Sequence, residues 1–309
     1  MMAGLVFIGL MTAIRTKSRR PKRSVVEAVA DYGRDDHPVL AEAPEPPEPP
    51  KPPKPAKRER KGRRRLGKIL IVAGVLLVAY SAAVIFWRDP VTDLYARWRQ
   101  HQLAAELNRE FAAYAAVVEP APVADAGPRA PTARQRAESS RGHVEAAANA
   151  LNGKLKMGHA LGRIKVPRLG LNAVFVQGTR WGPDLSQGPG HYTQTSLPGV
   201  GRTMGIAGHR TTFGAWFRHI DSLRAGDPIV LQLPYATFHY RVFRHTIVDN
   251  GDWSIIRDRG FDTLFLSACH PLYSASHRWI VFAALVRVDP VKGVPYLVDR
   301  HNRVRPVPA

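Results

Sequence analysis

Apolar residues recur along this chain in three different rhythms, and each rhythm predicts a different element. The first is an unbroken run, "ILIVAGVLLVAYSAAVIFW", Ile69 to Trp87, 19 residues without a charge. At about 1.5 Å per residue it matches a hydrocarbon core of about 30 Å, so it predicts a transmembrane helix. The second rhythm is near-helical. Leu94, Trp98, Leu103, Leu107 and Phe111 recur through "VTDLYARWRQHQLAAELNREFAAYAAV", and "RQRAESSRGHVEAAANAL" is a further short helix. A Pro/Ala linker, Glu119 to Ala133, separates them. Residues 88–150 therefore predict a helical stalk and linker with no catalytic residue in it.

The third rhythm begins near Leu155 and is that of strands. "GRIKVPRLGLNAVFVQG" predicts strand, Pro-containing turn and strand. "DPIVLQLPYATFHYRVFRHTIV" predicts a pair broken at Pro234–Ala236, and "DTLFLSAC" and "HRWIVFAALVRV" predict two more strands. The one helical candidate is Ala215–Leu223. This many antiparallel strands leave edges that must be dealt with, which points to a mostly β, closed barrel.

Charge changes the picture at the N-terminal side. The net charge of +20 suggests a nucleic-acid partner at first sight. However, residues 1–68 hold 17 Lys and Arg against 8 Asp and Glu, an excess of 9 placed ahead of the apolar run. Such placement follows the positive-inside rule: residues 1–68 stay cytoplasmic and residue 88 onward is outside. It argues for a membrane and against nucleic acid. "APEPPEPPKPPKPAK", Ala43 to Lys57, cannot bury a core and predicts a disordered tail. The apolar start "MMAGLVFIGLMTAI" is too short to span and lacks the pattern of a signal peptide.

Export sharpens the meaning of the single cysteine, Cys269. Exported cysteines usually pair, and this one has no partner within the chain. It is a buried small hydrophobe, an intermolecular crosslink or a working thiol; its place at a strand end beside a loop favours the last. A nucleophilic thiol needs a proton donor for the leaving group and a group to hold the oxyanion. His209 follows a small-residue strand end, "MGIAGH", whose glycines allow close approach. His191, in the loop "QGPGHYTQTSLPG", is placed to line a cleft. His219, His239 and His245 predict structural or sheet-face roles. His270 adjoins the cysteine, but successive strand residues point to opposite faces, so it is badly placed to pair with it. Arg278 opens the next strand, and an antiparallel return brings its guanidinium beside the sulfur. His270 and His277 lack the accompanying carboxylates of a metal site, and no cofactor is expected.

The ordered set "AGHR", "FxxIDxLxxGD", "TLxxxxC" and an Arg followed by an apolar residue and "IV" resembles the sortases, membrane-anchored cysteine transpeptidases of Gram-positive bacteria. It resembles most the class E type, usual in actinobacteria, or class D, over about residues 160–290. The resemblance implies an eight-stranded β-barrel with short helices in a catalytic domain at 151–298, before a C-terminal tail at 299–309. It implies Cys269 as nucleophile, His209 as general acid and base, and Arg278 at the oxyanion. Its substrates are secreted proteins bearing an LPxTG-like sorting signal, cut at Thr–Gly and passed to an amine of a peptidoglycan precursor or pilin. Where the family has "TLTTC", this chain has "TLFLSAC", so Ser267 and Ala268 stand where substrate contacts near the thiol are expected. The alternative is a sortase-like membrane-tethered binding or assembly module.

Overall fold

The computed structural model describes residues 57–86, 89–117 and 130–308. The expectations for the first 56 residues, for Trp87 and for most of the Pro/Ala linker lie outside them. Helix α1 (Lys57–Phe86) contains the apolar run but starts at Lys57. The basic stretch just before the run is thus helical and not part of an unstructured tail. Within α1, Arg64–Ala83 is long and apolar enough to cross a membrane (20 residues, mean hydropathy 2.1) and is not buried in the protein.

Ten strands follow the helices, and eight of them close on themselves. These are β1 (Ala160–Val166), β2 (Leu171–Gln177), β3 (Gly190–His191), β4 (Thr203–Ala207), β5 (Pro228–Leu233), β6 (Ala236–Asp249), β7 (Thr263–His270) and β8 (His277–Pro290). The pairing runs β8-β6-β5-β1-β2-β3-β4-β7, and β7 returns to β8. The closed barrel is the one the strand count predicts, and it leaves no long edge exposed. Strand β5 alternates buried and half-buried positions because one face is wet. Six successive residues of β7, Thr263 to Ala268, are buried, so both of its faces are covered. Leu264, Leu266 and Ala268 point into the barrel core. Phe265 packs outside with Ile255, Ile280 and Phe282.

Helices α2 (Pro90–Val117) and α3 (Ala133–Asn152) lie on the barrel, a correction to the expected stalk. Leu103 and Leu107 of α2 are buried against Val174 and Val176 of β2. Gln100 shows why the helix is needed there. Strand β3 pairs only with Val176 and Gln177, leaving the backbone of Val174 open on that side. The Gln100 amide donates to the Val174 carbonyl at 2.8 Å and accepts from its N–H at 2.7 Å. It thereby stands in for a missing strand and satisfies two groups that burial would otherwise orphan.

The segment expected as a C-terminal tail is also structured. Strands β9 (Tyr296–Val298) and β10 (Val304–Pro306) form a hairpin on β8. Helix α3 seats it: Ser140 Oγ accepts from Val294 N–H at 2.8 Å, and Arg141 donates to the Asn302 carbonyl at 2.7 Å. The predicted helix at Ala215–Leu223 reduces to one 3-10 turn, Ile220–Ser222. Phe213, Gly214 and Ala215 have φ of 48°, 83° and 44°, left-handed values that stop a helix from starting earlier.

Candidate active site

Strand register places the two residues that chemistry would bring together. In the antiparallel β7–β8 pair, Cys269 stands directly opposite Arg278. Residues so paired have Cβ atoms about 4.5–5.5 Å apart on one face. That face is the outer one, since Phe265, four residues before Cys269, packs outside with Ile280 and Phe282, two and four residues after Arg278. Arg278 Nη1 also donates to the carbonyls of Ala275 and His277, both at 3.0 Å, which ties the guanidinium to the turn before β8.

His209 comes from the other side of β7. Strand β4 runs parallel to it with Ala207 opposite Ser267, and the Gly208 N–H donates to the Ser267 carbonyl at 3.0 Å. Continuing that line by two residues puts His209 level with Cys269. The imidazole is only 8% exposed, and its Nε2 has no hydrogen-bond partner. Burial holds its pKa below the ordinary histidine value, so the neutral ring is favoured. Phe213 and Trp181 surround it at ring separations of 5.5 and 6.3 Å.

Arg210 locks this arrangement from beneath and was not singled out by sequence. Its guanidinium is 3% exposed. Nη1 donates to the carbonyl of Cys269 at 3.4 Å, Nε and Nη2 donate to the Arg218 carbonyl, each at 3.1 Å, and Nη2 meets Asp221 at 2.7 Å. One side chain thus joins the histidine loop, the cysteine strand and the 3-10 turn. Its charge is balanced by Asp221, as burial of a guanidinium requires. A surface arginine has the same sequence context, so only the fold reveals it.

Tyr192 also belongs to the site. Its hydroxyl donates to Ser267 Oγ at 3.2 Å, and its ring rests on Phe265. Burial pushes the phenol above its ordinary value, while the hydrogen bond to Ser267 and the charge of Arg278 pull the other way. Cys269 adds a smaller upward push, so the phenol lies among the residues around the thiol.

Other expectations need correction. His191 does not line a cleft. It lies in β3, fully buried, with Nδ1 against Gln177 Oε1 at 2.7 Å and Nε2 against Thr195 Oγ1 at 3.1 Å. Burial lowers its pKa to about 4. Ala268 faces the barrel core and cannot touch a ligand on the cysteine's face. Ser267 shares that face but is 1% exposed beneath Tyr192. The glycines before His209 serve packing: a Cβ on Gly205 would meet the Phe265 ring at 2.1 Å, and one on Gly208 the Phe217 ring at 2.6 Å. His270 points away from the sulfur, as strand alternation requires, and leans on Trp279 at 5.4 Å.

A cleft of about 750 Å³ is elsewhere. It is lined by Glu106, Lys154, His159 and Gln177, at the start of β1 and the end of β2.

What the arrangement can do follows from its parts. A half-buried thiol at a strand end has a cationic donor opposite it and a dry, unpaired imidazole in line on the other side. Such a set suits attack on a carbonyl, with oxyanion and leaving group served from two sides.

The chain is similar to known proteins. The sortase domain pattern matches residues 164–286. Sortase D of Bacillus subtilis is 31% identical over 156 residues, 49% of this chain and 77% of that protein. Sortase SrtE1 of Streptomyces coelicolor is 25% identical over 248 residues, 75% of this chain and 60% of that protein. A crystal structure of sortase E1 from Streptomyces coelicolor with a tripeptide in the active site aligns with a TM-score of 0.41. The identity is 26%, over 43% of this chain and 91% of that one. With the family pattern running from β1 into β8 and sortase D matched over most of its length, the chain belongs to the sortase family of cysteine transpeptidases.

Proposed function

We propose that the protein is a single-pass membrane enzyme that cuts an LPxTG-like sorting signal at its Thr–Gly bond and transfers the fragment ending in threonine to an amine. In this reading Cys269 Sγ attacks the threonine carbonyl and Arg278 holds the oxyanion. His209, protonated as the thiolate forms, gives its proton to the leaving glycine amine as the C–N bond breaks. The thioacyl bond is then broken by an incoming amine, from a peptidoglycan precursor or a pilin. That amine loses a proton to His209, and the thiolate is released. Without an amine, water gives hydrolysis alone.

The observation carrying this reading is the register that sets Cys269 opposite Arg278 with His209 in line across β7. The apolar helix α1, with its basic N-terminal half, supports membrane anchoring with the N-terminus cytoplasmic and residues 151–298 outside.

The test uses the full chain and a Leu-Pro-X-Thr-Gly peptide, read by mass spectrometry with and without an added amine. The unaltered protein should cleave after threonine and form the amine adduct, and Cys269→Ala should do neither. Cleavage by the Cys269→Ala protein would refute the assignment.

A further inference from the structure

Three arginines on the outer face of the barrel lack a counter-charge. Arg202 meets Asp258 at 2.7 Å, Arg287 meets Asp289 at 2.8 Å and Arg303 meets Asp299 at 2.7 Å. Arg244, Arg259 and Arg300 are exposed, and none has an ion pair or a hydrogen bond to its guanidinium among the described residues. The acids beside two of them in the chain are engaged elsewhere. Asp258, next to Arg259, holds Arg202 and accepts from the Thr203 N–H at 2.8 Å. Asp299, next to Arg300, holds Arg303 and accepts from the N–H groups of His301 and Arg303.

The fold gathers these three cations over one pair of rings. Phe282 of β8 packs on the outer face, and Arg244 of β6 stands directly opposite it. The pairing slips between Val242 and Arg244, so Phe243 is the extra residue of a β-bulge, and its ring stacks on Phe282 at 6.3 Å. The Arg259 guanidinium lies 4.0 Å from the centre of the Phe282 ring, and that of Arg300 lies 4.5 Å from the centre of Phe243. Stacking on a ring fixes a guanidinium in place and leaves its charge unneutralised. Burial, and after it the charge of Arg244, holds the Arg259 guanidinium below its ordinary pKa.

Strand geometry relates this cluster to the site. Phe282 is four residues along β8 from Arg278, as Phe265 is along β7 from Cys269, a distance of about 13 Å. An extended peptide covers that distance in about four residues. The strand order β4-β7-β8-β6 puts His209, which serves the leaving amine, on the β4 side and the cluster on the β8 and β6 side. The acyl half of a bound peptide runs away from the leaving amine, and so towards the arginines.

We infer that Arg244, Arg259 and Arg300 bind an acidic segment of the protein substrate, just ahead of the four residues that enter the site. The inference rests on the proposed cleavage and adds a second determinant to it, negative charge upstream of the signal. Such a contact is made equally before and during the chemical step, so it acts on KM and leaves kcat alone.

The test uses the full chain in detergent and three peptides. All carry Leu-Pro-X-Thr-Gly, and the four residues before it are all glutamate, all glutamine or all lysine. At low salt kcat/KM for the glutamate-led peptide should exceed that for the glutamine-led one by about tenfold, through KM, with the lysine-led peptide lowest. At about 1 M salt the difference should close to about twofold. Replacing all three arginines by glutamine should make the three peptides equal, with kcat on the glutamine-led peptide unchanged. Arg244→Glu, which leaves both ring-stacked arginines in place, should move the preference towards the lysine-led peptide even where the triple variant fails to fold. Equal KM for the glutamate-led and glutamine-led peptides on the unaltered protein would overturn the inference. Were soluble polyphosphate then to bind the unaltered protein and not Arg244→Glu, the cluster would belong to a phosphate polymer instead. A glutamate preference that survives Arg244→Glu would also overturn it. Cleavage of none of the three peptides would sink the proposed function, and the inference with it.

Discussion

Two buried histidines, one in β3 and one just past β4, show how differently the barrel treats the same side chain. His191 has a partner on each ring nitrogen and is fully buried. His209 is nearly as buried, yet its Nε2 has none. Burial disfavours the charged ring at both places, and only at His191 is the neutral ring then fully satisfied. An unpaired buried nitrogen costs about 1–3 kcal/mol, a cost that His209 bears and His191 does not. Saturated hydrogen bonds fix His191 as a structural residue and leave Nε2 of His209 free for the proposed chemistry.

The largest effect that would break this comparison is at His209. His209→Gln should cut peptide turnover by about a thousandfold or more with little loss of thermal stability, because the native ring makes few polar bonds to lose. A stable variant with turnover within tenfold of normal would put His209 on the same footing as His191. Next comes Arg210, which ties the His209 loop to the Cys269 strand. Arg210→Ala should lower kcat about tenfold and leave Asp221 without its buried partner. Arg210→Lys should recover only part, since a lysine cannot bond three directions from one planar group. Full recovery with lysine would reduce its role to charge alone.

The smallest effect concerns pH and the His191 region. The His191 pKa is about 4 in the folded protein against an ordinary 6.5. The unfolded chain therefore takes up that proton first, and stability is lost as pH falls from about 6.5 towards 4. Buried Asp262, which accepts from Gly199 and Gly201 N–H, is raised by burial to about 6 from an ordinary 3.8. Here the folded protein takes up the proton first, so stability rises as pH falls from about 6 to 3.8. The two oppose each other between about pH 4 and 6. Asp262→Asn removes the counterweight. Its melting temperature should fall more steeply than that of the unaltered protein between pH 6 and 4, by roughly 6–12 °C on the scale of about 3 kcal/mol for Asp262. Parallel curves for the two proteins would mean that these groups do not set the acid response.

Much of the strand layout was legible because barrel strands carry their own punctuation. Pro167 and Gly170 bracket the turn between β1 and β2, and Pro234 ends β5. The pair Cys269 and Arg278 was legible for the same reason: a short loop between two strands implies an antiparallel return, and counting then gives the register. The helical candidate at Ala215 failed because three left-handed residues, one a phenylalanine, occupy its start. Such strain is imposed by neighbours and leaves no local mark. His191 misled because a histidine flanked by glycines and a proline reads as loop, and nothing local foretells Gln177 and Thr195 closing on it.

The sequence by itself determined the apolar span, the closed β-barrel and the order of histidine, cysteine and arginine, because these depend on periodicity, local turns and short-range register. The tertiary structure alone decided that α2 and α3 lie on the barrel, that Arg210 is buried, and that Arg244, Arg259 and Arg300 gather on one face. Each of those rests on groups brought together from tens to more than a hundred residues apart. Their burial and hydrogen bonding come into being only when the core around them has formed.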